Sequence, residues 1–211
     1  MKKDDNGYRI RRKVDRRMFL GGLLLGGGLL AGALALQRVH GRWRYIVIHH
    51  SAGDHGSINL LNRVHRRRQQ GDPVDSMAYH FAIGNGNGMP MGAVDHHLRW
   101  RLGLWGAHVS ARNTPVNISG IGICLIGNYE KGPVPEPQYR ALRDLCQRLM
   151  DSYAIPPTRV VVHRAIPGER TRCPGRFFPV RRLADELLRP VAMALPAAGE
   201  SALRRGSLPL F

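Results

Sequence analysis

The sequence predicts an α/β fold in which a central mixed β-sheet is flanked by α-helices. From Arg44 onward, short runs of β-branched residues alternate with longer stretches of helical periodicity, which is the pattern of a sheet covered by helices. Glycine- and proline-rich turns separate these runs. The 211 residues, 43% of them hydrophobic, suffice for one packed domain with appendages, since domains run to about 100 to 200 residues.

The first half of this body predicts two strands with a helix between them. Tyr45–His50 (YIVIHH) is an apolar run typical of a buried strand. Ser57 is a suitable N-cap for a helix. Ala78–Gly84 (AYHFAIG) is the second predicted strand, ended by the turn NGNG. The apolar positions that give the intervening helix one hydrophobic side are Ile58, Leu61 and Val64.

The second half adds two strands and two helices. Gly120–Gly127 (GIGICLIG) and Arg159–His163 (RVVVH) are predicted strands, and Gln138–Tyr153 has the apolar spacing of an amphipathic helix. A last helix is predicted over Val180–Met193, where Pro190 should kink or shorten it. The prediction is therefore a single α/β domain over residues 43–195, followed by a basic flexible tail over residues 196–211.

The N-terminal residues 1–36 have the layout of an export signal. Residues 18–36 carry no charge and follow a basic stretch that ends in Arg16 and Arg17. The string DRRMFLGG resembles the twin-arginine export signal, and Ala33–Ala35 supplies a small-residue cleavage pattern. The length also suits an uncleaved membrane anchor. We therefore expect export to the periplasm or cell envelope, with anchoring to the inner membrane if the segment is retained.

Two histidines and a cysteine are placed as metal ligands would be. His49 lies at the end of the first predicted strand, His163 ends another, and Cys173 follows ten residues after His163. Two imidazoles and a thiolate form a three-ligand zinc set that leaves a fourth position for water. The alternative is two core histidines with an inert buried thiol, because the chain has neither CxxC nor HExxH. The spacing leaves both interpretations open.

Four stretches of the chain, spread over about 130 residues, carry a resemblance to a known family. They are VIHHSAG (Val47–Gly53), YHFAIGNG (Tyr79–Gly86), GAHVSARNTPVNISGIGICLIGN (Gly106–Asn128) and HRAIPGERTRCPG (His163–Gly175). In this order they resemble the zinc-dependent N-acetylmuramoyl-L-alanine amidases, a family that includes amidase-type phage lysozymes and peptidoglycan recognition proteins. The resemblance implies one amidase-like domain that binds Zn²⁺ and acts on peptidoglycan or a muropeptide.

The resemblance also implies roles for individual residues. His49, His163 and Cys173 match the zinc ligands, while Tyr79 and Thr171 match residues that would donate hydrogen bonds to the developing oxyanion during catalysis. The remaining expectations are that His108 and Asn117 line the substrate cleft, that His50 faces the opposite side of its strand, and that His96 and His97 are surface residues.

The implied activity is hydrolysis of the amide between N-acetylmuramic acid and L-alanine of peptidoglycan. A second function is a non-catalytic peptidoglycan receptor of the same fold, but such members commonly replace the cysteine that is present here as Cys173. A third is a thiol hydrolase with Cys173 as nucleophile and His163 as base. Against it, Pro174 follows the cysteine and no orienting acid is evident in the sequence.

The charge and the other two cysteines complete the sequence-based expectations. The formal net charge of +17 favours polyanionic partners; export makes wall polymers or lipid headgroups better candidates than nucleic acid, and we expect a monomer. Three cysteines cannot form a disulfide scaffold. On an exported protein Cys124, which stands where some relatives have a glutamate, and Cys146 could form a disulfide. A buried strand and the apolar side of a helix favour free thiols instead.

Overall fold

The computed structural model describes residues 42–67 and 76–189. The predicted signal or anchor at residues 1–36, the tail at 196–211 and Pro190 lie outside the described residues. Within the described part of the chain, no helix combines the length and the apolar character needed to cross a membrane.

A mixed sheet forms the centre of the described domain, as predicted, but it has five strands where four were expected. The strands are β1 (Tyr45–His50), β2 (Phe81–Ile83), β3 (Val94–His96), β4 (Gly120–Leu125) and β5 (Val160–Val162). The strand order is β3-β2-β4-β1-β5; β3 is antiparallel to β2, and the other neighbouring strands are parallel. The long strands β1 and β4 are central, so they are covered on both faces.

Five α-helices within residues 42–67 and 76–189 surround the sheet. They are α1 (Ile58–Arg66), α2 (Leu98–Arg101), α3 (Thr114–Ser119), α4 (Glu136–Tyr153) and α5 (Val180–Leu188). Short 3₁₀ segments occupy Ala111–Asn113, Pro157–Arg159 and His163–Ala165. The predicted cap of α1 is confirmed, because the hydroxyl of Ser57 accepts a hydrogen bond from the backbone N–H of Leu60 at 3.2 Å.

The second strand is shorter than the Ala78–Gly84 predicted from its apolar pattern. The backbone N–H of Met77 donates to Asn62 Oδ1 at 2.8 Å, and that of Ala78 donates to His65 Nδ1 at 2.9 Å. Side chains of α1 thus satisfy these donors in place of a neighbouring strand. The short elements β3, α2 and α3 were not predicted, because β3 is exposed along its length and the two helices are too short to show a periodicity.

The main hydrophobic core lies on one face of the sheet, beneath α4 and α5. Burying an aliphatic or aromatic side chain there stabilises the fold by about 1.5–3 kcal/mol. Because side chains alternate along a strand, the odd-numbered neighbours Val47 and His49 of β1 point to the other face. Core residues of the first face are Ile46, Ile48, Ile121, Ile123, Leu125, Tyr139, Leu142, Leu145, Leu149, Leu183 and Leu187.

The opposite face carries a smaller apolar cluster and the candidate site. Leu61 of α1 packs there with Ala82 and Cys124, whereas Cys146 of α4 belongs to the main core. All three cysteines are buried free thiols. Because the sheet separates Cys124 from Cys146, these two cannot pair without rearrangement of the fold.

Candidate metal centre

The structure brings His49, His163 and Cys173 together at one edge of the sheet. One ligand atom from each lies within 4.8 Å of the others. His49 is near the carboxyl end of β1 and His163 directly follows β5, its parallel neighbour, so the two rings come from the same sheet edge. Cys173 is delivered by the loop after His163, and its Sγ lies 3.8 Å from His49 Nδ1.

His108 determines which nitrogen of His49 faces Cys173. Its Nε2 lies 3.2 Å from the carbonyl oxygen of Gly120, which can only accept, so Nε2 carries the proton and Nδ1 is an acceptor. His49 Nε2 therefore donates to His108 Nδ1 at 3.2 Å, and His49 Nδ1 keeps its lone pair. Burial lowers the pKa of His108 to about 4 and that of His49 well below its usual range, so both rings are neutral at pH 7.

The His108 ring occupies a cradle built from two glycines. A Cβ at Gly106 would lie 2.2 Å from its Cδ2 atom, and a Cβ at Gly122 would lie 2.5 Å from the same atom. Real side chains do not approach so closely, so the absence of a side chain at both positions makes room for the ring. The glycines of the GAH and GIG stretches thereby help to place His49.

Glu169 contacts the second histidine of the group. Its Oε2 lies 3.1 Å from His163 Nε2, while Oε1 accepts from the Ser110 backbone N–H at 3.0 Å, the Ser110 hydroxyl at 2.6 Å and Asn113 Nδ2 at 2.7 Å. Burial opposes ionisation, but the hydrogen bonds from Ser110, Asn113 and His163 together lower the pKa of Glu169 to about 2. No orienting acid for His163 was evident in the sequence, and the structure places Glu169 against it.

The donor set suits zinc. Because Glu169 and His108 engage the Nε2 atoms, the Nδ1 atoms of His163 and His49 remain for a metal. Tetrahedral zinc places a sulfur and a nitrogen ligand about 3.6 Å apart, close to the 3.8 Å between Cys173 Sγ and His49 Nδ1. Burial raises the pKa of Cys173 to about 11, although the backbone N–H of His50 counteracts this. A coordinated metal would deprotonate such a thiol.

Tyr79 lies beside this group. Its ring centroid is 5.0 Å from that of His49 and 5.2 Å from that of His65. The segment before it is anchored by the α1 contacts of Met77 and Ala78 described above and by the buried Arg99, whose Nε donates to the Met77 carbonyl at 2.7 Å. These contacts place the half-buried Tyr79 ring next to the first histidine.

Thr171 lies next to Cys173, the third member of the group. Its hydroxyl oxygen accepts from the backbone N–H of Cys173 at 3.1 Å, which leaves the hydroxyl proton available to another acceptor. Thr171 lines a cavity of about 570 Å³ whose other lining residues are Glu130, Arg164, Arg172 and Arg176. A cavity rich in arginine favours a ligand that carries carboxylates.

His108 and Asn117, expected to line the substrate cleft, form hydrogen bonds with other groups of the protein. Asn117 Oδ1 accepts from the backbone N–H of His108 at 2.9 Å and of Val109 at 3.0 Å, and its Nδ2 donates to the Val109 carbonyl at 2.9 Å. Both ring nitrogens of the buried His108 are also engaged. Every polar side-chain atom of the two residues thus has an internal partner, and a contact with substrate stays a prediction.

The other histidines singled out in the sequence do not join the ligand group, although the backbone N–H of His50 donates to Cys173 Sγ at 3.4 Å. His50 Nδ1 accepts from the Tyr129 backbone N–H at 3.3 Å, in keeping with the alternation expected along β1. His96 is exposed, as predicted. The surface assignment of His97 was wrong, because its side chain is buried and caps α2 by accepting from the backbone N–H of Arg99 at 3.2 Å.

A family match covers most of the described chain. The family described as Amidase_2, N-acetylmuramoyl-L-alanine amidase, matches residues 40–176. The chain belongs to this family. The matched range includes the three clustered residues together with Tyr79, Glu169 and Thr171, whereas α5 lies beyond it. No curated protein matches the chain.

Solved structures with the same fold include an amidase and peptidoglycan recognition proteins (PGRPs). The N-acetylmuramoyl-L-alanine amidase LysC from Clostridium intestinale URNW is 23% identical, with a TM-score of 0.59, and the match covers 71% of this chain and 87% of that one. Bumblebee PGRP-SA is 19% identical, with a TM-score of 0.51 and coverages of 66% and 80%. A mutant of Drosophila PGRP-LB, in complex with tracheal cytotoxin, is 20% identical, with a TM-score of 0.50 and coverages of 67% and 80%.

Proposed function

We propose that this protein is a zinc-dependent N-acetylmuramoyl-L-alanine amidase, which hydrolyses the amide between N-acetylmuramic acid and L-alanine of peptidoglycan. The observation that carries the proposal is the convergence of His49, His163 and Cys173 inside a domain of the amidase family. Retention of the cysteine supports catalysis over recognition alone, since a thiolate is a far better zinc ligand than the serine hydroxyl common in receptors.

In the proposed mechanism, the three clustered side chains hold Zn²⁺. Bound zinc supplies Lewis-acid chemistry, polarising the scissile carbonyl and making water a better nucleophile at neutral pH. Tyr79 and Thr171 donate hydrogen bonds to the carbonyl oxygen as negative charge develops on it, an effect worth about 3–4 kcal/mol for a well-placed donor. Their positions beside His49 and Cys173 support this role.

Cys124 does not supply a base in this mechanism. Its Cα is paired with that of His49 across β1 and β4, so it stands where a glutamate would face the site. Burial, reinforced by Cys173, raises the pKa of Cys124 well above its usual value. A neutral thiol cannot accept the water proton, and we therefore assign water activation chiefly to the metal.

The proposed substrate and location agree with the charge of the chain. Stem peptides of peptidoglycan carry free carboxylates, which suit the arginine-lined cavity beside Thr171. Residues 1–36 are proposed to direct export as a twin-arginine-type signal or to remain as an anchor of the inner membrane. The protein would then act in the periplasm or cell envelope, as a monomer.

One observation favours a thiol hydrolase as a second candidate. Glu169 contacts His163, so Cys173, His163 and Glu169 provide the residue types of a nucleophile, a base and an orienting acid. The raised pKa of the buried Cys173 opposes it, because the thiolate is the nucleophile. Zinc dependence separates the two candidates, since a thiol hydrolase would keep its activity in a chelator.

The deciding experiment measures the release of stem peptides with a free L-alanine amine from purified peptidoglycan by the full-length protein, together with its zinc content. The expected result is release that requires zinc and is lost, with the zinc, in Cys173→Ser. The matched control is Cys146→Ala, which changes a buried cysteine on the other side of the sheet. Muropeptide binding without release at full zinc occupancy would instead identify a receptor.

A further inference from the structure

Glu169 connects one histidine of the metal group to a loop that is distant in the sequence. Its side chain is only 6% exposed, and donors approach both of its oxygens. His163 Nε2 contacts Oε2, whereas Ser110 and Asn113 donate to Oε1. Asn113 also donates to the Pro167 carbonyl at 3.1 Å, so the segment around Ser110–Asn113 is attached to the loop that carries Glu169.

We propose that Glu169 is a positioning residue for zinc binding and that Ser110 and Asn113 act through it. The inference rests on the proposed metal site. A carboxylate that accepts from Nε2–H of a histidine fixes its tautomer and ring orientation and makes the opposite nitrogen a stronger ligand. Ser110 and Asn113 hold one oxygen of the carboxylate by hydrogen bonds, which directs the other oxygen to His163.

The two histidines of the group are held by chemically different partners. His49 donates to His108, another imidazole, while His163 Nε2 contacts a carboxylate oxygen. A negatively charged acceptor increases the basicity of the ring more than a neutral acceptor does. Loss of the charge at Glu169 should therefore weaken zinc binding even when the shape of the side chain is preserved.

Glu169→Gln is the isosteric test of this role. A glutamine side chain has one oxygen and one NH₂ group, so it cannot accept both from His163 on one side and from Ser110 and Asn113 on the other. Either the ring or the loop loses its acceptor. Glu136→Gln is the matched control, because Glu136 also accepts two charged hydrogen bonds, from Arg182, but is far from His163 on the exposed surface of α4.

The experiment measures the zinc dissociation constant of the full-length protein by competition with a chelating dye. We expect Glu169→Gln to weaken binding about 10- to 100-fold, Asn113→Ala to weaken it less, and Glu136→Gln to leave it unchanged. In a Glu169→Ala background, Asn113→Ala should have a smaller effect, limited to the loss of its bond to the Pro167 carbonyl. Cobalt-substituted Glu169→Gln should retain the thiolate charge-transfer band of Cys173 with an altered ligand-field spectrum, which a general loss of folding would not produce.

Wild-type zinc affinity in Glu169→Gln would overturn the inference, as would an undiminished effect of Asn113→Ala in the Glu169→Ala background. These outcomes leave the proposed amidase activity intact, because the wild-type protein would still bind zinc and hydrolyse peptidoglycan. Conversely, tight zinc binding that depends on Glu169, in a protein that releases no stem peptide, would support the positioning role and contradict the proposed reaction.

Discussion

His49 Nε2 lies 3.2 Å from His108 Nδ1, and this contact turns the opposite nitrogen of His49 toward Cys173. His108 is in turn tied to the Gly120 carbonyl of β4. The orientation of His49, a proposed ligand, thus depends on the buried His108 ring and, through that ring, on the backbone of β4. Several consequences of this arrangement can be measured.

The first prediction concerns His108. His108→Ala removes the acceptor of His49 Nε2, so the His49 ring loses its fixed tautomer, and zinc affinity should fall about 10- to 100-fold. Competition with a chelating dye measures the change, and circular dichroism verifies that the variant is folded. His55→Ala is the control, since His55 is exposed and contacts Asn87 away from the ligand group. Unchanged affinity in His108→Ala would contradict the positioning role.

Gly122→Ala should disturb the same contact without changing a polar group. The added Cβ would lie 2.5 Å from Cδ2 of His108, and this buried ring, which packs against Gly122 of the central strand β4, has little room to move. We expect weaker zinc binding and a free energy of unfolding lower by about 1–3 kcal/mol, measured by dye competition and urea titration. Gly132→Ala is the control, because its Cβ would meet no atom within 4 Å.

Tyr79→Phe should separate catalysis from metal binding. If the Tyr79 hydroxyl stabilises the developing oxyanion, its loss should lower kcat about 100- to 1000-fold while the zinc content stays at the wild-type level. Stem-peptide release and elemental analysis measure the two quantities. Tyr45→Phe, at the start of β1 and half-buried, should retain wild-type turnover. Equal turnover in Tyr79→Phe and the wild-type protein would refute the role.

The fourth prediction is a pH dependence of stability that originates at His80. Its Nδ1 accepts from the Gly122 backbone N–H at 2.9 Å and its Nε2 contacts the Leu104 carbonyl at 3.0 Å. Burial, aided by His108, lowers the pKa of His80 to about 3. Between pH 6.5 and pH 3 the unfolded chain therefore binds a proton that the folded chain does not, and stability falls as the pH falls.

The size of this effect follows from proton linkage. One proton contributes about 1.4 kcal/mol per pH unit to the slope of the unfolding free energy. His80→Asn removes the titrating group. Between about pH 6 and pH 4, the slope of the unfolding free energy against pH should therefore be shallower in this variant than in the wild-type protein by about this amount. Urea titrations of both proteins in excess chelator measure the slopes without a contribution from metal release. Parallel slopes would show that His80 does not titrate in this range.

The sequence predicted the parts of the fold that depend on local patterns. The apolar run Tyr45–His50 became β1, the Ser57 cap began α1, and the spacing within Gln138–Tyr153 lies inside α4. These signals come from neighbouring residues and need no knowledge of distant contacts. The short strand β3 was not predictable in this way, because it is exposed and has no apolar pattern. The later start of β2 was not predictable either, because the backbone N–H of Ala78 donates to the His65 side chain rather than to a neighbouring strand.

The sequence by itself also identified His49, His163 and Cys173 as candidate ligands, because residue types and the order of motifs can be read without a structure. Only the tertiary structure revealed that His108 contacts His49 and that Glu169, itself held by Ser110, contacts His163. His108 is 59 positions from His49, and Glu169 is 59 positions from Ser110. Such pairs leave no local pattern, because a hydrogen bond depends on where the folded backbone places two groups rather than on their spacing along the chain.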